Sequence, residues 1–162
     1  ELSGGDIVAQ AVMLGFPGLP AIYFHSLVGS RNDVEGMLSS GQNRRINREK
    51  LSYDILVEEL ENDPVRKSIW AAFQELLQAR RSSPAFHPLG TFQFHDLSPS
   101  VICIQRFSPD KAEEVWLLFN LTEANQEIHL PEGAYADLLS DDEMGTKQYL
   151  HAYEYRWLRK KV

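Results

Sequence analysis

The pattern of apolar residues changes near residues 84–90. Before this point apolar residues recur at helical spacing, most regularly between Ile69 and Leu77. After it, short apolar runs are separated by turns rich in Ser, Pro, Asp and Gly, which is typical of antiparallel strands. The change predicts two architectures in order: an α/β part over residues 1–85 and an antiparallel β domain over residues 86–162.

Helix start and stop signals divide the first part. Residues 3–6 are spaced as a capping box for a first helix, which Pro17 and Gly18 end. A second, acidic helix is predicted over residues 51–62. Asp63 as N-cap and Pro64 at the first helical position begin a third helix, which ends near Arg81. In the second part, strands are predicted over residues 91–97, 101–107, 115–121, 127–130, 135–139 and 155–160.

A short apolar run, Ala21 to Phe24, lies between a Gly/Pro turn and a polar, glycine-containing segment. Such a run is typical of a buried parallel strand that ends at the mouth of an α/β barrel, where sites lie on the loops that follow the strands. Residues 26–50, here called the 26–50 segment, are predicted to be a long loop. Loops of this length are usually functional or disordered, and a flexible surface excursion is the alternative.

Composition argues against nucleic-acid, membrane and metal-dependent functions. The chain has 162 residues and a formal net charge of −7, which disfavours nucleic acid or an anionic membrane as a partner. No apolar run has the length of a membrane span. The single cysteine, Cys103, is predicted to be a small core residue in a reducing, cytoplasmic compartment. The histidines show no metal-ligand spacing, so we expect no metal or other cofactor.

Several motifs resemble one enzyme family. The residues from Ile22 to Asp33, followed by Ile46-Asn-Arg48, resemble the eighth strand and the next loop of the sucrose phosphorylase branch of the alpha-amylase superfamily. Leu77 to Phe86 resembles the end of helix eight of these barrels, and Val115 to Thr122 resembles a strand of their C-terminal domain. The resemblance implies the last units of a (β/α)8 barrel (helix seven, strand eight, an acceptor loop and helix eight), followed by a small antiparallel β domain.

The same resemblance implies a chemistry. Enzymes of this branch are retaining glucosyltransferases that phosphorolyse a sucrose-like α-glucoside to α-glucose 1-phosphate, so a sugar and inorganic phosphate are the expected substrates. Retaining reactions need two carboxyl groups about 5 Å apart. In the family these two groups and a third, stabilising Asp lie on strands four, five and seven, which precede the segment seen here. We therefore assign no catalytic residue, and we expect the upstream part of the barrel to be a partner of this chain.

Asp33 and Arg80 are the first candidates for substrate binding. Asp33 matches an Asp of the family's acceptor loop, and a carboxylate suits sugar hydroxyls; the alternative is a loop Asp that fixes a turn. Arg80 lies on the apolar stripe of its helix, where a permanent charge needs a partner. The resemblance implies that Arg80 binds glucosyl hydroxyls. The alternative is an arginine at the C-terminal end of its own helix that suits the helix dipole, or one in a structural ion pair.

Four further residues are candidates for the acceptor or phosphate: Arg31, Asn32, Arg44 and Arg45. The planar, forked donors of arginine suit phosphate or carboxylate. A surface patch paired with Glu58, Glu59 and Glu61 is an equally favoured interpretation of the basic residues.

Two other functions stay open at this point. An amylase-like α-glucosidase or transglucosidase with the same tail would release free glucose instead of glucose 1-phosphate. A non-catalytic carbohydrate-binding β module would bind sugar through residues 86–162 alone and would expose aromatic side chains on one sheet face.

Overall fold

Five α-helices and eight strands lie within residues 4–161, the part of the chain that the computed structural model describes. The helices are α1 (Gly4–Gly15), α2 (Phe24–Leu27), α3 (Val34–Ser40), α4 (Tyr53–Asn62) and α5 (Pro64–Ser82). The strands are β1 (Thr91–His95), β2 (Val101–Phe107), β3 (Glu114–Asn120), β4 (Gln126–His129), β5 (Tyr135–Asp137), β6 (Glu143–Met144), β7 (Lys147–Leu150) and β8 (Tyr155–Lys160). Ser3 and the Asp6 side chain of the predicted capping box lie outside the described residues.

Contacts group the residues into two compact units. One unit is Ala21–Gln74, and the other combines the residues up to Pro20 with those from Glu75 onward. Helix α5 therefore begins in one unit and ends in the other. The domain boundary predicted from the sequence, between residues 85 and 86, separates the α/β part from the β domain. It is a different division from these two units, and it stays a prediction.

The predicted start of α5 is confirmed. Asp63 is the residue before Pro64, and its Oδ1 accepts hydrogen bonds from the backbone N–H groups of Val65 (2.9 Å) and Arg66 (3.1 Å). An N-cap carboxylate satisfies donors that have no partner within the helix, and its charge suits the positive end of the helix dipole. The apolar stripe is also confirmed at its centre, since Ile69, Phe73 and Leu76 are buried.

The predicted strand over residues 21–24 is wrong. Residues 19–23 have no regular structure, and Phe24 already begins α2. The backbone of Tyr23 is extended, as a strand requires, with φ −75° and ψ 130°. A parallel strand is defined by hydrogen bonds to neighbouring strands, however, and the described strands all lie from Thr91 onward. The side chains of Tyr23 and Phe24 are accordingly half exposed.

The 26–50 segment is not the structureless loop that the sequence predicts. Helix α3 lies within it, and a 3₁₀-helix follows at Asn43–Asn47. Gly41 ends α3 in the left-handed conformation, with φ 65°, which only glycine adopts without strain. These short helices give the segment backbone hydrogen bonds of its own.

The antiparallel β domain is confirmed. One sheet has the strand order β1-β2-β3-β8-β5-β6, and a second sheet pairs β4 with β7. Every pairing is antiparallel. The sequence missed β6 and β7: β6 has two residues, and β7 buries the polar Gln148 beside Leu150, so neither shows an apolar alternation.

The β domain contains a core cluster in which Cys103 is 2% exposed. Burial raises the pKa of the Cys103 thiol to about 12. The prediction that Cys103 is a small core residue is therefore confirmed, and its thiol is unreactive in this environment. Buried residues of the cluster are Val101, Trp116, Leu118, Ile128, Leu130, Tyr135, Leu150 and Leu158.

Candidate functional site

The unit Ala21–Gln74 contains five of the six predicted binding residues, all within the 26–50 segment. Two long-range hydrogen bonds hold the segment in a closed shape. The backbone N–H of Asp33 donates to the Ile46 carbonyl at 2.8 Å, and the Tyr23 hydroxyl donates to the Asn47 carbonyl at 3.1 Å. The start of α3 at Val34 and the 3₁₀-helix, which begins at Asn43, are therefore neighbours in space.

Asp33 caps helix α3. Its Oδ1 accepts a hydrogen bond from the Gly36 backbone N–H at 2.8 Å, and its Oδ2 lies 3.7 Å from Nη2 of Arg45. A Cβ at position 36 would collide with this carboxylate, so glycine there makes room for the cap. Asp33 thus fixes a turn, as the alternative interpretation predicts, and its second oxygen faces a guanidinium. Its role in binding a sugar acceptor stays a prediction.

The other candidates of the segment have different surroundings. The Arg31 side chain is 71% exposed, and its guanidinium pairs with Oδ2 of Asp63 at 2.7 Å. Arg44 is exposed and donates a long hydrogen bond from Nε to Gln42 Oε1, at 3.4 Å. Asn32 is exposed as well. The structure therefore brings Asp33 and Arg45 together, and it directs Arg31 to the start of α5.

Arg80 belongs to the other unit, where it meets backbone carbonyls. Its Nη1 donates to the Leu14 carbonyl and its Nη2 to the Gly18 carbonyl, the latter at 2.6 Å. These acceptors lie at and just beyond the C-terminal end of α1, the end at which a helix favours positive charge. Burial lowers the pKa of Arg80, but the group keeps its charge at neutral pH.

A second arginine, Arg106, completes this arrangement. It is 1% exposed and donates from Nη1 to the carbonyls of Gly15 and Phe16, at 2.9 and 2.8 Å. The guanidinium carbons of Arg80 and Arg106 lie 5.4 and 5.0 Å from the centre of the Phe86 ring, within cation–π range. Burial, and then the nearby charge of Arg80, lowers the pKa of Arg106 to about 10. We call this pair the arginine clamp.

Two buried arginines that the sequence does not single out, Arg66 and Arg106, make structural contacts. Arg66 lies fourteen residues before Arg80 on the same stripe of α5, so the argument that marks Arg80 applies to it equally. Its side chain is 2% exposed. The sequence gives no comparable signal for Arg106. Its neighbours in β2 are the polar Gln105 and the apolar Phe107, so no apolar stripe marks Arg106 as buried.

Other site chemistries find no support among the described residues. No group of three or more His, Cys, Asp and Glu side chains there is arranged to hold a metal ion. The Nδ1 atom of His25 lies 2.8 Å from the Ser30 hydroxyl, which is a turn contact. None of the helices described has the length and apolar character needed to cross a membrane.

Known proteins resemble this chain in sequence. A glucosylglycerate phosphorylase from Escherichia coli is 34% identical over 155 residues, which is 94% of this chain and 28% of that protein. The same enzyme from Spirochaeta thermophila is 41% identical over 130 residues, which is 80% of this chain and 22% of that protein. A sucrose phosphorylase from Streptococcus mutans is 26% identical over 103 residues. No family model matches the chain.

The chain is a homologue of the C-terminal part of these phosphorylases. The predicted resemblance to the sucrose phosphorylase branch is thereby confirmed. The chain spans about a quarter of the length of the curated relatives that it matches.

Solved structures support the fold of this phosphorylase homologue. An alpha-amylase from Geobacillus thermoleovorans, complexed with acarbose, matches 99% of this chain and 34% of its own, with a TM-score of 0.73 and 16% identity. At that identity the likeness concerns the fold alone. It confirms the predicted fold class, the end of a (β/α)8 barrel followed by a small antiparallel β domain.

Proposed function

We propose that this chain is the C-terminal part of a retaining glucosyltransferase that phosphorolyses glucosylglycerate, an α-glucoside, to α-glucose 1-phosphate and glycerate. The observation that carries the proposal is the 34% identity to a glucosylglycerate phosphorylase over 94% of this chain. A match of that extent includes the 26–50 segment, in which the acceptor residues are predicted. The enzyme would act in carbohydrate metabolism, and the buried free thiol of Cys103 fits a reducing, cytoplasmic location.

The reaction divides the work between this chain and the upstream barrel. An upstream Asp carboxylate attacks the anomeric carbon, the bond to the leaving oxygen breaks, and an upstream Glu gives that oxygen its proton. A phosphate oxygen then attacks the anomeric carbon, releases the Asp carboxylate and returns a proton to the Glu. In our proposal this chain contributes the acceptor residues of the 26–50 segment and, through Arg80, a donor-site residue.

The chemistry of the 26–50 segment suits an anionic acceptor. Glycerate carries a carboxylate, and guanidinium groups bind carboxylates through paired hydrogen bonds. Arg44 and Arg45 are neighbours in the 3₁₀-helix, and neither is buried. In this proposal Asp33, which lies beside Arg45, accepts hydrogen bonds from the hydroxyl groups of the same acceptor.

A chimaera tests the proposal. The C-terminal part of the Escherichia coli enzyme that matches this chain is replaced by the chain itself, and phosphate release from α-glucose 1-phosphate is measured with glycerate, fructose or fructose 6-phosphate. We expect phosphate release with glycerate well above that with the two sugars. A folded chimaera that prefers fructose would overturn the choice of acceptor. Release of free glucose without an acceptor would favour the hydrolase alternative.

The alternative of a sugar-binding β module has one observation in its favour. Phe92 and Phe94 on strand β1 are 48% and 52% exposed, as such a module requires. Their rings meet edge to face, however, with an interplanar angle of 87° and centroids 5.8 Å apart. They therefore do not form the flat platform on which a sugar ring stacks. Binding of maltose or sucrose to isolated residues 86–162 in calorimetry would restore this alternative.

A further inference from the structure

Arg66 joins distant parts of the unit Ala21–Gln74 through a buried charge. Its side chain is 2% exposed, and its guanidinium donates from Nη1 to the Val28 carbonyl at 2.9 Å and from Nη2 to Oε2 of Glu49 at 3.1 Å. Nε lies 3.1 Å from Oε2 of Glu59, but off the axis that a hydrogen bond requires. A buried guanidinium is tolerated only with such partners, and removing one of them is costly.

Glu49 has a second role that Glu59 lacks. The same Oε2 atom that meets Arg66 also accepts a hydrogen bond from the backbone N–H of Arg31, at 3.1 Å. One carboxylate oxygen therefore connects the buried guanidinium to the backbone two residues before Asp33. Val28 and Arg31 lie near the start of the 26–50 segment, and Glu49 lies near its end, so Arg66 closes the segment at both sides.

The Arg31 side chain anchors the same stretch a second time. Its ion pair with Asp63 reaches the residue that caps α5, and Arg66 lies in the first turn of that helix. Residues 28–33 are thus tied to the start of α5 through their backbone, by way of Glu49, and through an exposed side chain. The backbone tie is the better protected of the two, because the guanidinium that supports it is excluded from water.

We propose that Glu49 is a positioning residue that, on the buried Arg66, fixes residues 28–33 and thereby sets the affinity of the enzyme for its acceptor. This inference rests on the proposed function, since it assumes that Asp33 and its neighbours contact the acceptor. Glu49 itself touches no substrate in this account. Its effect passes through the backbone of Arg31 to Asn32 and Asp33.

The two carboxylates at Arg66 supply a matched pair of variants. Glu49→Ala and Glu59→Ala each remove one carboxylate from the same guanidinium, at the same 3.1 Å distance, and the side chains are similarly exposed, at 29% and 36%. In the chimaera we expect Glu49→Ala to raise the KM for the acceptor about tenfold, as the loss of a charge-assisted hydrogen bond does. We expect kcat and the KM for α-glucose 1-phosphate to change less than about twofold. Glu59→Ala should leave all three values near those of the parent chimaera.

A conservative variant guards against a general folding defect. Glu49→Gln keeps an oxygen that accepts from the Arg31 N–H, so we expect it to restore most of the acceptor affinity. An equal rise in acceptor KM for Glu49→Ala and Glu59→Ala would overturn the proposal. The acceptor affinity would then depend on neutralising the Arg66 charge, and the bond between Glu49 and the Arg31 backbone would have no special role. A fall in kcat with an unchanged acceptor KM would overturn it as well.

Amide hydrogen exchange separates this inference from the proposed function. In Glu49→Ala we expect faster exchange at residues 28–33, and in Glu59→Ala we expect the parent rate there. If the chimaera shows no phosphorolysis, the exchange difference still decides whether Glu49 fixes this stretch. Equal exchange in the two variants would remove Glu49 as its anchor, whatever acceptor the enzyme uses.

Discussion

Nη2 of Arg80 donates a hydrogen bond to the main-chain carbonyl of Gly18, 2.6 Å away. Together with the bond from Nη1 to Leu14, it places the guanidinium on carbonyls in the last turn of α1 and just beyond it. These carbonyls have no partner within the helix, so a fixed positive charge there is favourable. The residue that the sequence marks as out of place on an apolar stripe is therefore one half of the arginine clamp.

This contact changes what we expect of Arg80→Ala. The sequence alone predicts severe loss of turnover with little loss of folding. Because the guanidinium also holds α1, we expect the free energy of unfolding of the chain to fall by about 2 kcal/mol, which urea denaturation measures. Arg81→Ala is the control, because Arg81 is exposed in the same turn. In a chimaera that stays folded, parent-like turnover of Arg80→Ala would remove Arg80 from the donor site.

Gly90 provides a test of how β1 is held. A Cβ at this position would lie far inside van der Waals contact with the Phe107 carbonyl and 3.1 Å from the His87 carbonyl, and both are backbone atoms that cannot turn away. Gly90→Ala should therefore destabilise the chain by about 3 kcal/mol, at the upper end of overpacking costs. Gly145→Ala meets no atom within 4 Å and serves as the control in the same denaturation experiment. Equal stability of the two variants would show that the turn before β1 adapts.

Asp63 should make the stability of the chain depend on pH in the acid range. Backbone N–H donation from Arg66, then from Val65, and the charge of Arg31 hold the pKa of this carboxyl below its ordinary value of 3.8. A pKa that is lower in the folded state means that the carboxylate stabilises the fold above the unfolded value. This contribution is lost as the pH falls through the folded pKa.

The variants Asp63→Asn and Arg31→Ala identify the source of that dependence. Asparagine can also cap a helix but does not titrate, so the difference in Tm between parent and Asp63→Asn should be constant near neutrality and shrink below pH of about 4. Arg31→Ala should keep most of the dependence, because the two backbone donors remain. If Arg31→Ala abolished it as completely as Asp63→Asn, the exposed ion pair would be its main cause.

Local signals account for the parts of the fold that were predicted correctly. Asp63 and Pro64 mark the start of α5, and the run from Val101 to Phe107 marks β2, because each signal lies within the element itself. The run Ala21 to Phe24 was mistaken for a strand for the opposite reason. An apolar run becomes a strand only beside a partner, and sequence periodicity does not contain that information.

The candidate site shows the same limit. The apolar stripe of α5 identifies Arg80 as a charge in need of a partner, but it does not say that the partners are the carbonyls of Leu14 and Gly18, more than sixty residues earlier. Glu49 is likewise one of many acidic residues in the sequence. Only its contacts with Arg66 and with the Arg31 backbone distinguish it.

Arg44 and Arg45 should determine which acceptor the enzyme prefers. In the chimaera, we expect Arg44→Ala combined with Arg45→Ala to raise the KM for glycerate about tenfold, because a carboxylate loses its charged donors. Fructose has no charge to lose, so its KM should change much less, and that of α-glucose 1-phosphate should stay near the parent value. Initial rates with each acceptor give these constants, and Arg81→Ala controls for the loss of positive charge alone.

The single variants divide the effect between the two arginines. Arg45 faces Asp33 at 3.7 Å, so Arg45→Ala also frees that carboxylate and should weaken fructose binding slightly, in addition to its larger effect on glycerate. Arg44 contacts an uncharged side chain, that of Gln42, so Arg44→Ala should act on glycerate alone. An equal loss with glycerate and fructose in the double variant would mean that these arginines support the 26–50 segment and do not select the acceptor.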